Sequence, residues 1–257
     1  MTIRTTREAS GLATVLMDRP ARRNAFTMEM YGAFGEALSA LDADDSIRCI
    51  VVRGAGGTFC AGSDIGGFDE SRSGREQARE YARFTLAMTD RLKNTRHPTV
   101  AAIEGACVGG GLEIAAMCDI RIAARSSRFG LPINRIGLTV DHDELGDLIQ
   151  VAGHTAALEM LLEGHVFGAE EALAKRLVTR VVDDGEFEQN VAQTVGRIVA
   201  GAPLVNRWHK KFVTRLRDPR PLTLEERDEA YACFDTQDYK AGRAAFASKE
   251  RPVFTGR

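Results

Sequence analysis

The chain has 257 residues, of which 44% are hydrophobic and 27% charged, with a formal net charge of −2. These values suit a globular protein able to bury a sizeable core, and they exclude a global pull toward nucleic acid or acidic membranes. No apolar run reaches about 18 residues and no basic-then-apolar leader opens the chain, so the expected setting is cytoplasmic, with no membrane partner.

In chain order, residues 11–17 read as a short strand, broken by Asp18, Arg19 and Pro20. Residues 28–41 carry apolar side chains at Met30, Phe34, Ala37, Leu38 and Leu41, which is helical spacing. Residues 47–52 are a buried-type strand rich in β-branched residues and end in a glycine cluster at 54–57. The polar, glycine-containing stretch 64–75 has no period and suggests a loop over a site. Helical spacing returns over 76–94 through Tyr81, Phe84, Met88 and Leu92. Pro98 opens a second strong strand, 119–124 is a third, and 129–132 begins a further loop. Residues 144–151 and 155–162 read as consecutive helices joined at Gly153. A short helix over 169–176 precedes a strand over 178–182. Beyond about residue 186 only helices and a polar tail are expected. Alternating strands and helices followed by helices alone argue an α/β core with a helical C-terminal extension.

The five cysteines contain no C-x-x-C pair and are odd in number, which fits core packing in a reducing compartment. His97 precedes Pro98 and reads as structural. Residues 208–217 are basic with interleaved aromatics, the pattern of an amphipathic helix with a solvated face rather than of a nucleic-acid surface.

The chemistry concentrates at three consecutive glycines, Gly109, Gly110 and Gly111, which lead into a helical run. A glycine turn at a helix start presents free backbone N–H groups and favours negative charge. Glu113 falls in the first turn of that helix, so an acid/base group stands beside an anion site. A second glycine turn, Phe-Cys-Ala-Gly-Ser-Asp-Ile over 59–65, also follows a strand. Two amides converging from two such turns are what a developing oxyanion needs. Spacing alone leaves open whether the turns meet or merely reverse the chain.

Together these residues resemble the crotonase superfamily, the enoyl-CoA hydratase/isomerase family. The matching pieces are Arg19-Pro20 with Asn24-Ala25, the 59–65 turn and Ala-Ile-Glu-Gly-Ala-Cys-Val-Gly-Gly-Gly-Leu-Glu over 102–113. Cys118-Asp119-Ile120, residues 129–132 and the tail from Phe246 through Lys249 to Pro252 also match, so the resemblance covers nearly the whole chain. It implies a crotonase-like spiral core of repeated ββα units over 1–195. It also implies a C-terminal helical region over 196–257 that builds a homotrimer or a dimer of trimers. The implied partner is an acyl-CoA thioester, with coenzyme A as part of the substrate and no separate cofactor. No metal is needed for that chemistry, and the sequence shows no metal-ligand cluster.

The resemblance further implies that the N–H groups of Ser63 and Gly110 form the oxyanion hole and that Glu113 is an acid/base. Arg22, Ala25, Ala61, Asp64 and Ile65 fall where family members contact coenzyme A, and Phe246 and Lys249 where they cover it. The second glutamate of the hydratases falls at Ile133, which cannot transfer a proton. The following stretch, Asp141, His142, Asp143 and Glu144, is unusually charged. It either supplies a replacement acid/base, with Asp141 first among the candidates, or caps the helix that follows. Asp141 also aligns with a nucleophilic aspartate of a dehalogenase branch, but that branch lacks a glutamate at the Glu113 position and has an aromatic residue near Ile133. A one-carboxylate site fits proton shuttling, as in double-bond isomerisation, better than hydration. The reading from a different class is an acyl-CoA binder that has lost catalysis.

Overall fold

The computed structural model describes residues 2–67 and 72–257. A six-stranded sheet runs in the order β1 (Ile3–Arg7), β2 (Leu12–Met17), β3 (Cys49–Gly54), β4 (Thr99–Ile103), β6 (Ile120–Ala124) and β9 (Arg180–Val182). β1 pairs antiparallel with β2, and the remaining pairs are parallel. A three-stranded sheet joins β5 (Ala106–Val108), β7 (Arg128–Gly130) and β8 (Phe167–Gly168). The α-helices are α1 (Met28–Asp42), α2 (Arg75–Asn94), α3 (Gly110–Ala116), α4 (His142–Ala152), α5 (His154–Glu163), α6 (Ala169–Ala174), α7 (Phe187–Val199), α8 (Pro203–Arg215), α9 (Leu224–Glu229) and α10 (Gln237–Ser248).

Parallel strands covered on both faces need continuous apolar runs, and β3 and β4 have them. Ile50, Val52, Ala101 and Ile103 face one core with Phe34 and Leu38 of α1. Val51, Val100 and Ala102 face the other, with Phe187, Val191 and Val195 of α7. α1 starts at Thr27, whose hydroxyl accepts from the Met30 N–H, and it buries Met30, Phe34, Leu38 and Leu41 along one stripe. α2 buries Tyr81, Thr85, Met88, Thr89 and Leu92.

Four strands, β1, β5, β7 and β8, differ from the sequence reading. β1 was not expected, because only Ile3 of its five residues is buried and its polar side chains carry no core pattern. Residues 128–130 form β7 where 129–132 were expected to begin a loop, held by parallel pairing to β5 and antiparallel pairing to β8. The loop expected over 64–75 contains a 3-10 turn at Ile65–Gly67, while residues 68–71 lie outside the described residues. Residue 195, the expected end of the core, falls inside α7.

Asn24 ties the first part of the chain to the glycine-rich segment after β3. It is fully buried, with a left-handed φ of 57°. Its side-chain amide donates to the carbonyls of Ala55 (2.9 Å) and Thr58 (2.6 Å), and its Oδ1 accepts from the Arg19 N–H (2.9 Å). Asn24→Ala leaves these buried groups unpaired and forces alanine into the left-handed region. The expected loss is about 2–4 kcal/mol of stability, read as a lower denaturation midpoint at unchanged slope.

Candidate active site

The two glycine turns meet. Residues 59–60 lie along 104–108, with the Phe59 N–H donating to Glu104 O (2.7 Å), Cys60 N–H to Ala106 O (2.8 Å) and Val108 N–H to Cys60 O (3.0 Å). Gly62 has a φ of 95°, and a Cβ there would stand 3.0 Å from Val108 O and 3.1 Å from the Gly110 nitrogen. Only glycine fits that conformation and that approach. Gly109, with a φ of 56°, turns the chain from β5 into α3, and its N–H donates to Gly130 O of β7 (2.9 Å). The three-residue strand missed in the sequence therefore holds the triple-glycine turn in place.

This geometry frees two amides. Gly62 O accepts from the Phe26 N–H and the Asp64 N–H donates to Phe26 O, both at 2.8 Å. In an extended stretch paired that way, the intervening Ser63 N–H faces the opposite side. Gly110 is the first residue of α3, and its N–H has no carbonyl one turn back to bind. Neither amide donates to a protein group among the described residues. Ser63 and Gly110 both line a cavity of about 370 Å³, together with Tyr31, Arg72, Glu113 and Glu144.

Glu113 lies in the first turn of α3, with Oε2 3.6 Å from the place a Cβ on Gly110 would occupy. Burial and the charge of Asp141 push its carboxyl above the ordinary glutamate range, and Arg72 opposes the shift. Glu144 is pushed up as well, first by burial, then by the charges of Glu113 and Asp141. Neither carboxylate accepts a hydrogen bond from any described residue. Above them, the Ser63 hydroxyl accepts from Tyr81 OH (3.0 Å), lies 2.9 Å from Tyr31 OH and 3.5 Å from the Arg72 guanidinium. Arg72 stacks on Tyr81, 3.7 Å from the ring centroid.

The other expected site residues are placed as follows. Ala61, Ile65 and Ile133 line the cavity. Arg22, Ala25 and Asp64 do not line it, but flank the same turn. Asp64 pairs with Arg19 (2.6 Å), which with the Gly66 N–H holds its carboxyl below the usual range, and Arg19 also donates to Ala25 O (3.0 Å). Asp141 does not line the cavity. It caps α4, its Oδ1 accepting from the Asp143 and Glu144 N–H groups at 2.9 and 3.0 Å, while His142 and Asp143 are exposed. Phe246 is 89% exposed on α10 and borders a separate shallow cleft, and Lys249 ends that helix with a φ of 59°. Sequence reading did not single out Tyr31, Arg72 or Thr85 as cavity residues, because Tyr31 and Thr85 sit on the core stripes of helices and look like packing. A larger cleft of about 890 Å³ lies among α8, α9 and the end of α2. It lacks the pairing of open amides with buried carboxylates.

A doubly covered parallel sheet with two glycine turns converging on a carboxylate-lined cavity defines a crotonase-fold enzyme. The chain belongs to the enoyl-CoA hydratase/isomerase family, whose model matches residues 7–257. It is 32% identical over 252 residues to a 1,2-epoxyphenylacetyl-CoA isomerase of Escherichia coli, covering 96% of each chain. It is 31% identical to a crotonyl-CoA hydratase of Syntrophomonas wolfei, covering 95% of this chain and 94% of that one. Among solved structures, an enoyl-CoA hydratase/carnithine racemase from Magnetospirillum magneticum superposes with a TM-score of 0.98 at 47% identity, over 100% of this chain and 96% of that one.

Proposed function

We propose that the chain acts on an acyl-CoA thioester, holding the thioester oxygen between the Ser63 and Gly110 amides while Glu113 moves a proton at the α-carbon. The convergence of two open amides and a buried carboxyl on one cavity carries this reading. Protons α to a thioester are weakly acidic. Fixed amide dipoles stabilise the enolate oxygen that forms as one leaves, and each such donor contributes about 3–4 kcal/mol in comparable sites. A carboxyl raised from its ordinary range is a stronger base once ionised, which suits proton abstraction near neutral pH. With Ile133 where hydratases carry a glutamate, double-bond isomerisation fits better than hydration by that pair. Residues 19–25 and 61–65 flank the cavity and suit the coenzyme A portion. Exposed apolar residues of the C-terminal region, among them Val213, Leu216, Leu224 and Tyr231, suit self-association as a homotrimer or a dimer of trimers.

Ile133 also supports a second reading, an acyl-CoA binder without catalysis. Incubation with a panel of 2-enoyl- and 3-enoyl-CoA thioesters in heavy water separates the two. Product or α-deuterium incorporation is the expected result. Tight binding with neither would favour the binder and overturn the catalytic reading.

A further inference from the structure

We infer that Glu144 is the second proton-transfer group of this site, delivered from the first turn of α4 instead of from the position of Ile133. This deepens the proposed function and rests on it. The geometry is local and specific. Glu144 stands three residues after the N-cap Asp141, where a glutamate ordinarily bends back to accept from the N-cap N–H and completes a capping box. The same chain makes that closure elsewhere: at α9, Thr223 accepts from the Glu226 N–H (3.2 Å) and Glu226 accepts from the Thr223 N–H (2.9 Å). At α4 only the first half is present. Asp141 accepts from the helix start, and the Glu144 carboxylate makes no return bond among the described residues. It lines the cavity that Glu113 lines.

An unpaired carboxyl withheld from the available cap and left lining the same cavity as a second carboxyl is costly for folding alone. The groups that face Glu144 are Glu113, Asp141 and Asp143, which repel its charge, and Arg72, which attracts it. Two carboxyls that repel each other's charge do not readily both ionise, so one can serve as an acid while the other serves as a base. Glu113 stands beside Gly110 and its open amide, next to where the α-carbon of a thioester held there would lie, and both carboxyls are raised above the ordinary range. Ionised Glu113 is therefore the base and neutral Glu144 the acid. For a 3-enoyl thioester, Glu113 takes the α-proton and the C–H electron pair enters the enolate. The electrons then return through the α,β-bond as the β,γ-bond opens and its γ-carbon takes the proton of Glu144. The thioester leaves with its double bond shifted and no net change in atoms. The two carboxyls have exchanged protonation states, which solvent or direct transfer between them restores.

The substrate class this selects is an acyl-CoA that must lose a proton at the α-carbon and gain one further along the chain. The test uses Glu144→Gln, an isosteric change, with but-3-enoyl-CoA and butanoyl-CoA as probes in heavy water. Butanoyl-CoA has no double bond to shift and reports Glu113 and the amides alone. Conversion of but-3-enoyl-CoA is expected to fall at least about 100-fold, and at least about tenfold more than α-deuteration of butanoyl-CoA falls. Equal conversion by both proteins would overturn the assignment of Glu144 and leave the proposed function standing. Absence of α-deuteration in the unmodified chain would instead sink the proposed function.

A second measurement does not depend on turnover. A carboxyl whose pKa is raised in the folded state contributes stability that is full below its unfolded value and is lost as pH rises through the folded one. Glu144→Gln removes that loss, so its Tm relative to the unmodified chain is expected to climb between about pH 5 and about pH 9. A Tm difference that does not change with pH would show that Glu144 does not share a site with Glu113 and would overturn the inference.

Discussion

Glu113→Gln is expected to abolish α-proton exchange and product formation while sparing acyl-CoA binding. Glutamine keeps the shape of the side chain and removes only its ability to take a proton. General acid/base groups contribute about 10²- to 10⁴-fold, the hydroxyls of Tyr31, Ser63, Thr85 and Thr139 that line the cavity are far weaker bases than a carboxylate, and Glu144 is assigned the acid's place. The stability of the variant is not expected to fall, because the substitution also removes the repulsion between Glu113 and Glu144. In the unmodified chain the rate is expected to rise with pH as Glu113 loses its proton. That rise lies above the ordinary glutamate value of 4.5, because burial and the Asp141 charge raise the folded pKa. Calorimetric titration with butanoyl-CoA measures binding, and α-deuteration followed by mass spectrometry measures the chemistry. Undiminished exchange in Glu113→Gln would remove Glu113 from the mechanism.

Gly110→Pro is expected to lower turnover by about 10²- to 10³-fold, the effect of deleting one oxyanion donor. Proline is unusually informative here. At the first position of a helix it removes an N–H that has no intrahelical partner and keeps a φ the helix accepts. The space admits a side chain: a Cβ at Gly110 meets Tyr31 Oη at 3.5 Å and Glu113 Oε2 at 3.6 Å, both ordinary contacts. Gly110→Ala is the control, since it adds the Cβ and keeps the N–H. A large loss in the proline variant with near-parental activity in the alanine variant, at similar Tm, isolates the hydrogen bond. Equal losses in both would assign the effect to crowding and not to the amide.

Much of this was readable in the sequence, and the parts that were not share a cause. The helical stripe of α1, the buried runs of β3 and β4, the helix pair joined at Gly153 and the triple-glycine turn all depend on local patterns. β1 and β7 do not. One is a polar edge strand with a single buried residue, and the other is three residues long and defined by its partners. The site divides the same way. Glu113 beside Gly110 is visible as a spacing of three residues. The meeting of Gly62 with Gly110 is not, because it depends on hydrogen bonds between 59–60 and 104–108. The sequence reading put Asp141 first among the charged candidates at the helix start, ahead of Glu144. Only the fold separates them, by using one as a cap and leaving the other to face Glu113.

The Ser63 hydroxyl has a consequence for the timing of binding and chemistry. It is held by Tyr31 from α1 and by Tyr81 from α2, and these rings pack edge-on with centroids 5.7 Å apart. The amide of the same residue, which the proposed function gives to the thioester oxygen, is thus anchored to two helices that enter the site from different parts of the chain. A donor fixed in this way has lost its freedom during folding, before any substrate arrives. The entropic cost of aiming it is then borne once per molecule and not once per turnover.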